Sequence, residues 1–123
     1  MLYNQDWGKK PNPVSDLLNS AADAIEKFGH TQNQMQDHRT GSMYLMGALW
    51  YVQSGNAWMI DSESKQLALK AAKAICDFKG LPHADFPLAA AVNWNNAWGR
   101  TGREVVETMR LTAAKLKEKE HAI

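Results

Sequence analysis

The run NPVSDLLNSAADAIEKFG, residues Asn12 to Gly29, decides the fold class. Val14, Leu17, Leu18, Ala21, Ile25 and Phe28 recur at three- and four-residue spacing, while Asp16, Asn19, Asp23, Glu26 and Lys27 fall outside that stripe. This is the period of an amphipathic helix with one face buried. Its ends are marked as well. Asn12 is a capping residue, Pro13 suits the first helical position, and Gly29 supplies a left-handed stop. The pattern predicts a first helix over Pro13–Phe28.

Further along, His30 to Ser42 (HTQNQMQDHRTGS) is a polar connection, long for a structureless loop in a small domain and so a sign of function or local disorder. A second helix is expected over Ser42–Ser54. Met43, Tyr44, Leu45, Met46, Leu49, Trp50, Tyr51 and Val52 leave it almost no polar face, which places it centrally. Gly47 would let a neighbour approach closely, and Gly55 and Asn56 end the helix. The third helix starts at Asp61 or Ser62 and runs to Lys79, with Leu67, Ala71, Ala74, Ile75 and Phe78 inward, before Gly80 and Pro82. The fourth runs from an Asp85 cap through Pro87 to about Asn96, with Phe86, Ala89, Ala90 and Trp94 on one face. Thr101 caps the fifth, and Thr101-Gly102-Arg103-Glu104 matches the capping-box pattern. Val105, Met109, Thr112, Ala113 and Leu116 carry its stripe into the charged tail KLKEKEHAI.

No alternating, β-branched run suggests a strand. The expected architecture is all-α: a compact single-domain bundle of about five helices over residues 13–120, preceded by a surface arm over 1–12 that Leu2, Tyr3 and Trp7 pin down. A chain of 123 residues with 45% hydrophobic content suffices for one core.

A net charge of +1, from 14 basic and 13 acidic residues, argues against general nucleic-acid binding. The longest uncharged run, Ser42 to Ile60, contains Gln53, Ser54, Gly55 and Asn56, which suit a helix end rather than a membrane span. The first thirteen residues lack the basic start and apolar centre of a secretory signal, so the expected location is the cytoplasm. Cys76 is the one cysteine, and in LALKAAKAICDF it reads as a core thiol.

The segment Trp94-Asn95-Asn96-Ala97-Trp98-Gly99-Arg100-Thr101-Gly102-Arg103 concentrates indoles, carboxamides and guanidinium groups just before a helix start. Indoles stack on flat ligands, amides read hydrogen-bonding edges, and arginines beside helix amides attract anions. The candidate ligand-binding set is Trp94, Asn95, Asn96, Trp98, Arg100, Thr101 and Arg103, joined by His30 and Gln32 from the polar connection. A structural reading stands beside it: Trp94 in the core, Trp98 under the turn, an asparagine capping a helix, and Arg103 paired with Glu107 on the surface. His30 at a helix end is read as bonding a backbone carbonyl.

The histidines at 30, 38, 83 and 121 share no metal-ligand spacing, so neither a metal nor a cofactor is expected. No GxSxG elbow, phosphate-cradling glycine loop or dinucleotide fingerprint is present, which points away from an enzyme.

AADAIEKFGHTQ, SMYLMGALW and VNWNNAWGRTGREVVETMRLTA together resemble a small uncharacterised helical family found in actinobacteria and bacteriophages. Its pattern reads A-A-x-x-I/L…G-W-T-Q, then C-x-x-G-A-L, then W-N-D/N-x-x-G-R-T-x-x-E-V…L-x-x-A-A. The resemblance covers about residues 20–55 and 88–115. His30 stands where the family has tryptophan, Ser42 or Met43 where it has cysteine, and Asn96 where aspartate is common. The resemblance implies a helical protein and a phage or mobile-element setting, hence the host cytoplasm, and it assigns no activity.

Two functions follow as expectations. The first is a non-enzymatic protein that binds a small anionic, nucleotide-like ligand, such as a phage-encoded sponge for a signal molecule. The alternative is a module that engages a host protein, or a second copy of itself, through an exposed patch drawn from Trp50, Trp58, Met59 and the Trp94–Trp98 turn.

Overall fold

The first apolar stripe does what its spacing dictates. In the computed structural model, which describes residues 14–120, Leu17, Leu18, Ala21, Ala22, Ala24 and Ile25 of α1 (Val14–Phe28) are all buried. Four further helices follow: α2 (Leu45–Ser54), α3 (Ser62–Lys79), α4 (Pro87–Asn95) and α5 (Gly102–Glu120). The described residues contain no strand, so the chain is an all-α, five-helix domain. Helix α1 packs most extensively on α5 and next on α2, while α4 lies mainly against α3. The expected arm, with Leu2, Tyr3 and Trp7, and the Asn12 and Pro13 start signals lie outside the described residues.

Helix α2 is largely buried, Leu45, Ala48, Leu49 and Val52 belonging to the core. It starts three residues later than the apolar run suggests. The reason is backbone pairing: the Met43 N–H donates to the Gly29 carbonyl at 2.9 Å, and the Thr31 N–H donates to the Met43 carbonyl at 3.1 Å. A residue whose amide and carbonyl serve a neighbouring segment cannot also begin a helix. The polar connection is therefore not structureless; isolated bridges join Met43 to His30 and to Gln36. The same segment lies hard against α2. A Cβ placed on Gly47 would stand 1.9 Å from the Met35 carbonyl oxygen.

Helix α3 is capped as expected, the Asp61 carboxylate accepting the Ser64 N–H at 2.7 Å. Its inner face is lined by Ala68, Ala71, Ala72, Ile75 and Cys76. The Cys76 thiol is buried and donates weakly to the Pro87 carbonyl; burial, then Asp77, raises its pKa, which suits a core thiol. Phe78 was expected inward but is 41% exposed, because it lies at the flank of that face.

Helix α4 departs most from its sequence signals. Asp85 does not cap it: Phe86 occupies the cap position without a side-chain bond, and Pro87 begins the helix with no N–H to satisfy. The buried face is Ala91, Trp94 and Asn95, whereas Phe86 and Ala89 are exposed. A nine-residue helix with apolar groups on every side has no period to orient it. The hydrogen bonds of Asn95 do so instead. No described helix is long and apolar enough to cross a membrane.

Candidate functional site

Asn95 sits at the last turn of α4, 0% exposed, and every bond of its side chain is made inside the protein. Its Oδ1 accepts the Leu45 N–H at 3.1 Å and His30 Nε2 at 2.9 Å. Its Nδ2 donates to the Thr31 carbonyl at 3.4 Å and to Asn96 Oδ1 at 3.0 Å. With Oδ1 acting only as acceptor, His30 must carry a proton on Nε2. The Leu45 amide is one of the orphan donors at the start of α2, whose own cap residue, Tyr44, makes no side-chain bond. Asn95 therefore caps α2 from another helix. His30, expected to bond a carbonyl, bonds this side chain instead.

Gln32 closes the other end. Its Nε2 donates to the carbonyls of Asn95 and Ala97, each at 2.9 Å, satisfying acceptors at the end of α4. The Asn33 N–H donates to Asn96 Oδ1 at 2.8 Å, with Asn33 in the left-handed region at φ 66°. The connection after α1 and the turn between α4 and α5 are thus sewn together by carboxamides.

Arg100 is also engaged. Its guanidinium lies over the Trp94 ring at 4.4 Å, its Nε donates to the Trp94 carbonyl at 3.0 Å, and its Nη1 pairs with Glu104 at 2.9 Å. Trp94 is 7% exposed and belongs to the core. The capping box forms as read: the Glu104 N–H donates to Thr101 Oγ1, and the Thr101 N–H donates to Glu104 Oε1, both at 3.1 Å.

The Thr101 amide, followed by Arg100, holds the Glu104 carboxyl below the usual glutamate range. A carboxylate with a depressed folded-state pKa stabilises the fold above its unfolded pKa, about 4.3, and loses that contribution as pH falls through the folded value. The melting-temperature gap between wild type and Glu104→Gln is thus expected to be widest at neutral pH and to narrow below roughly pH 4. A gap unchanged down to acid would remove the charged form from the cap.

Nine residues are candidates for ligand binding, and the structure places them in different settings. Asn95, Asn96, Gln32, Trp94, Arg100 and Thr101 hold the turn together, while Trp98 stands at its tip, 100% exposed. His30 and Arg103 are different. They line a cavity of about 570 Å³ between the end of α1 and the first turns of α5. Ile25, Val106 and Leu111 form its apolar wall, and Glu26, Glu107 and Arg110 its remaining charged groups. Arg110 is committed to Asp23, at 2.6 Å, and to Glu26. Arg103 and Glu107 form no ion pair with each other or with another described residue, contrary to the surface pair that their spacing suggests. The sequence reading missed Val106, Glu107, Arg110 and Leu111 as site residues. Their signal was the row 103, 106, 107, 110 along one face of α5, beside its core stripe.

The model of a family of unknown function (DUF6197) matches residues 9–115. The chain belongs to that family. No curated protein and no solved structure matches it. The DUF6197 match spans α1 to α4 and most of α5, and so includes both the carboxamide network and every cavity residue.

Elsewhere, His38 stacks on Trp58 with ring centroids 5.1 Å apart, and Trp50 is buried, so of the expected Trp50–Trp58–Met59 patch only Trp58 and Met59 are exposed. Among the described residues no group of three histidine, cysteine, aspartate or glutamate side chains could hold a metal ion.

Proposed function

We propose that this DUF6197 chain is a non-enzymatic protein that holds a small anionic, nucleotide-like ligand in the cavity between α1 and α5. One observation carries the reading: a hollow of about 570 Å³ with an apolar wall and an uncommitted guanidinium, Arg103, on its rim. That volume lies within the range of roughly 300–1,000 Å³ typical of ligand pockets. Because Arg110 is already neutralised by Asp23 and Glu26, attraction for an anion falls on Arg103. Glu107 can accept hydrogen bonds from the body of the ligand, and Ile25, Val106 and Leu111 cover its apolar face. Sequestration of a signal molecule, the sponge role fitting a phage or actinobacterial setting, needs nothing further from the site.

Equilibrium dialysis against nucleoside mono- and diphosphates and cyclic dinucleotides tests this reading. Saturable binding of at least one is expected, weakened roughly tenfold by Arg103→Ala. Val106→Trp, which fills the hollow, should abolish it, and Trp98→Ala should leave it unchanged. Binding that survives Val106→Trp, or no saturable binding at all, overturns the assignment.

A second reading rests on Trp98. A fully exposed indole on a turn braced by Gln32 and Arg100, with Phe86 71% exposed at the other end of α4, favours contact with a host protein or a second copy. It is distinguished by a stoichiometric complex that Trp98→Ala abolishes and Val106→Trp spares.

A further inference from the structure

A second hollow, of about 540 Å³, lies between the middle of α3 and the last turns of α5. Lys70 and Lys73 stand on the α3 side, Lys115 and Lys119 on the α5 side, and Phe78 and Leu116 lie between. Four of the chain's 14 basic residues thus meet in one groove of a protein whose net charge is only +1. The single carboxylate in the lining, Asp77, is already held by Lys73 at 2.9 Å and His83 at 3.2 Å. Outside the lining, Glu118 reaches Lys115 only at 4.0 Å.

The layout is more informative than the charge. On each helix the uncharged residues are turned further towards the core than the lysines: Phe78 and Ala74 relative to Lys70 and Lys73, and Leu116 and Thr112 relative to Lys115 and Lys119. The result is an apolar floor between two basic banks. A small anion calls for cations that converge on one point, and a single nucleic-acid strand calls for several stacking platforms, whereas this groove has one aromatic ring. An amphipathic helix with an apolar stripe and carboxylates on both flanks matches it group for group.

We propose that this groove seats an acidic amphipathic helix of a partner protein. The apolar stripe of that helix covers Phe78 and Leu116, and its carboxylates face Lys70 on one side and Lys115 and Lys119 on the other, Lys73 staying paired with Asp77. The exposed edge of Phe78, out of place in a core stripe, becomes a contact. From Lys70 to Phe78 the α3 side of the groove runs about 12 Å, or two helical turns. This surface is separate from the cavity between α1 and α5, so either assignment can fail alone.

The probe is a fluorescein-labelled helical peptide of about four turns, with leucines at i, i+3, i+4 and i+7 flanked by glutamates. Anisotropy should show saturable binding at least about tenfold tighter than that of a shuffled peptide of equal composition. Phe78→Glu and the double reversal Lys70→Glu/Lys115→Glu should each weaken it by roughly tenfold or more. A peptide with lysine flanks should bind the double reversal and not the wild type. These are surface positions, and an unchanged far-UV circular dichroism spectrum confirms that the variants fold. Equal affinity for the shuffled peptide, indifference to charge reversal, or stronger binding of single-stranded oligonucleotide or anionic vesicles would overturn the proposal.

Discussion

Asn95→Ala should cost about 3 kcal/mol and lower Tm by roughly 10 °C. The Leu45 amide is buried and has Asn95 Oδ1 as its acceptor, so alanine leaves a buried donor without water or partner. An unpaired buried donor costs about 1–3 kcal/mol, and the stranded Thr31 carbonyl and the lost side-chain volume add to it. His30 and Asn96 are half-buried and recover part of their bonding from water. Asn95→Asp is the informative companion. It keeps the acceptor for Leu45 but strands Thr31 and introduces a buried charge, so it too should destabilise. Urea unfolding measures both, and a loss below about 1 kcal/mol for the alanine variant would rule out capping of α2 from α4.

Gly47→Ala is expected to destabilise by about 2 kcal/mol or more, against the direction that helix propensity alone gives. Alanine is favoured over glycine inside a helix by up to about 1 kcal/mol. Here the added methyl group would stand 1.9 Å from the Met35 oxygen and 2.8 Å from its carbon. The obstacle is backbone, which cannot swing aside like the end of a long side chain. Relief requires moving the whole connection off α2, and overpacking of this kind costs typically about 1–3 kcal/mol. Thermal unfolding decides the sign: any rise in Tm would mean that the close approach is relaxed at no cost.

Much of the fold is legible in the residues. The stripes of α1 and α5 predict their burial, and Asp61, Thr101 and Glu104 announce their caps. These signals are local, within one or two helical turns, and sequence patterns carry them well. What was not legible is long-range. Asn95 and Leu45 are 50 positions apart and His30 and Asn95 are 65, so no spacing rule relates them. For the same reason the start of α2 and the orientation of α4 escaped, since both depend on bonds from remote segments. The candidate site divides along this line. Residue type marked Trp94–Arg103 as unusual but could not tell a turn that holds itself together from one that offers its groups to a ligand. Only His30 and Arg103 of the nine reach the cavity, and its other walls come from faces that read as ordinary core and surface.

Capping across helices has an implication for biosynthesis. As the chain leaves the ribosome, α2 emerges 50 residues ahead of the carboxamide that satisfies its first amide. During that interval an uncapped, nearly all-apolar helix must be shielded by α1, by the tunnel or by a chaperone. Nascent chains stalled before Asn95 should therefore be the most aggregation-prone stage of this protein's life.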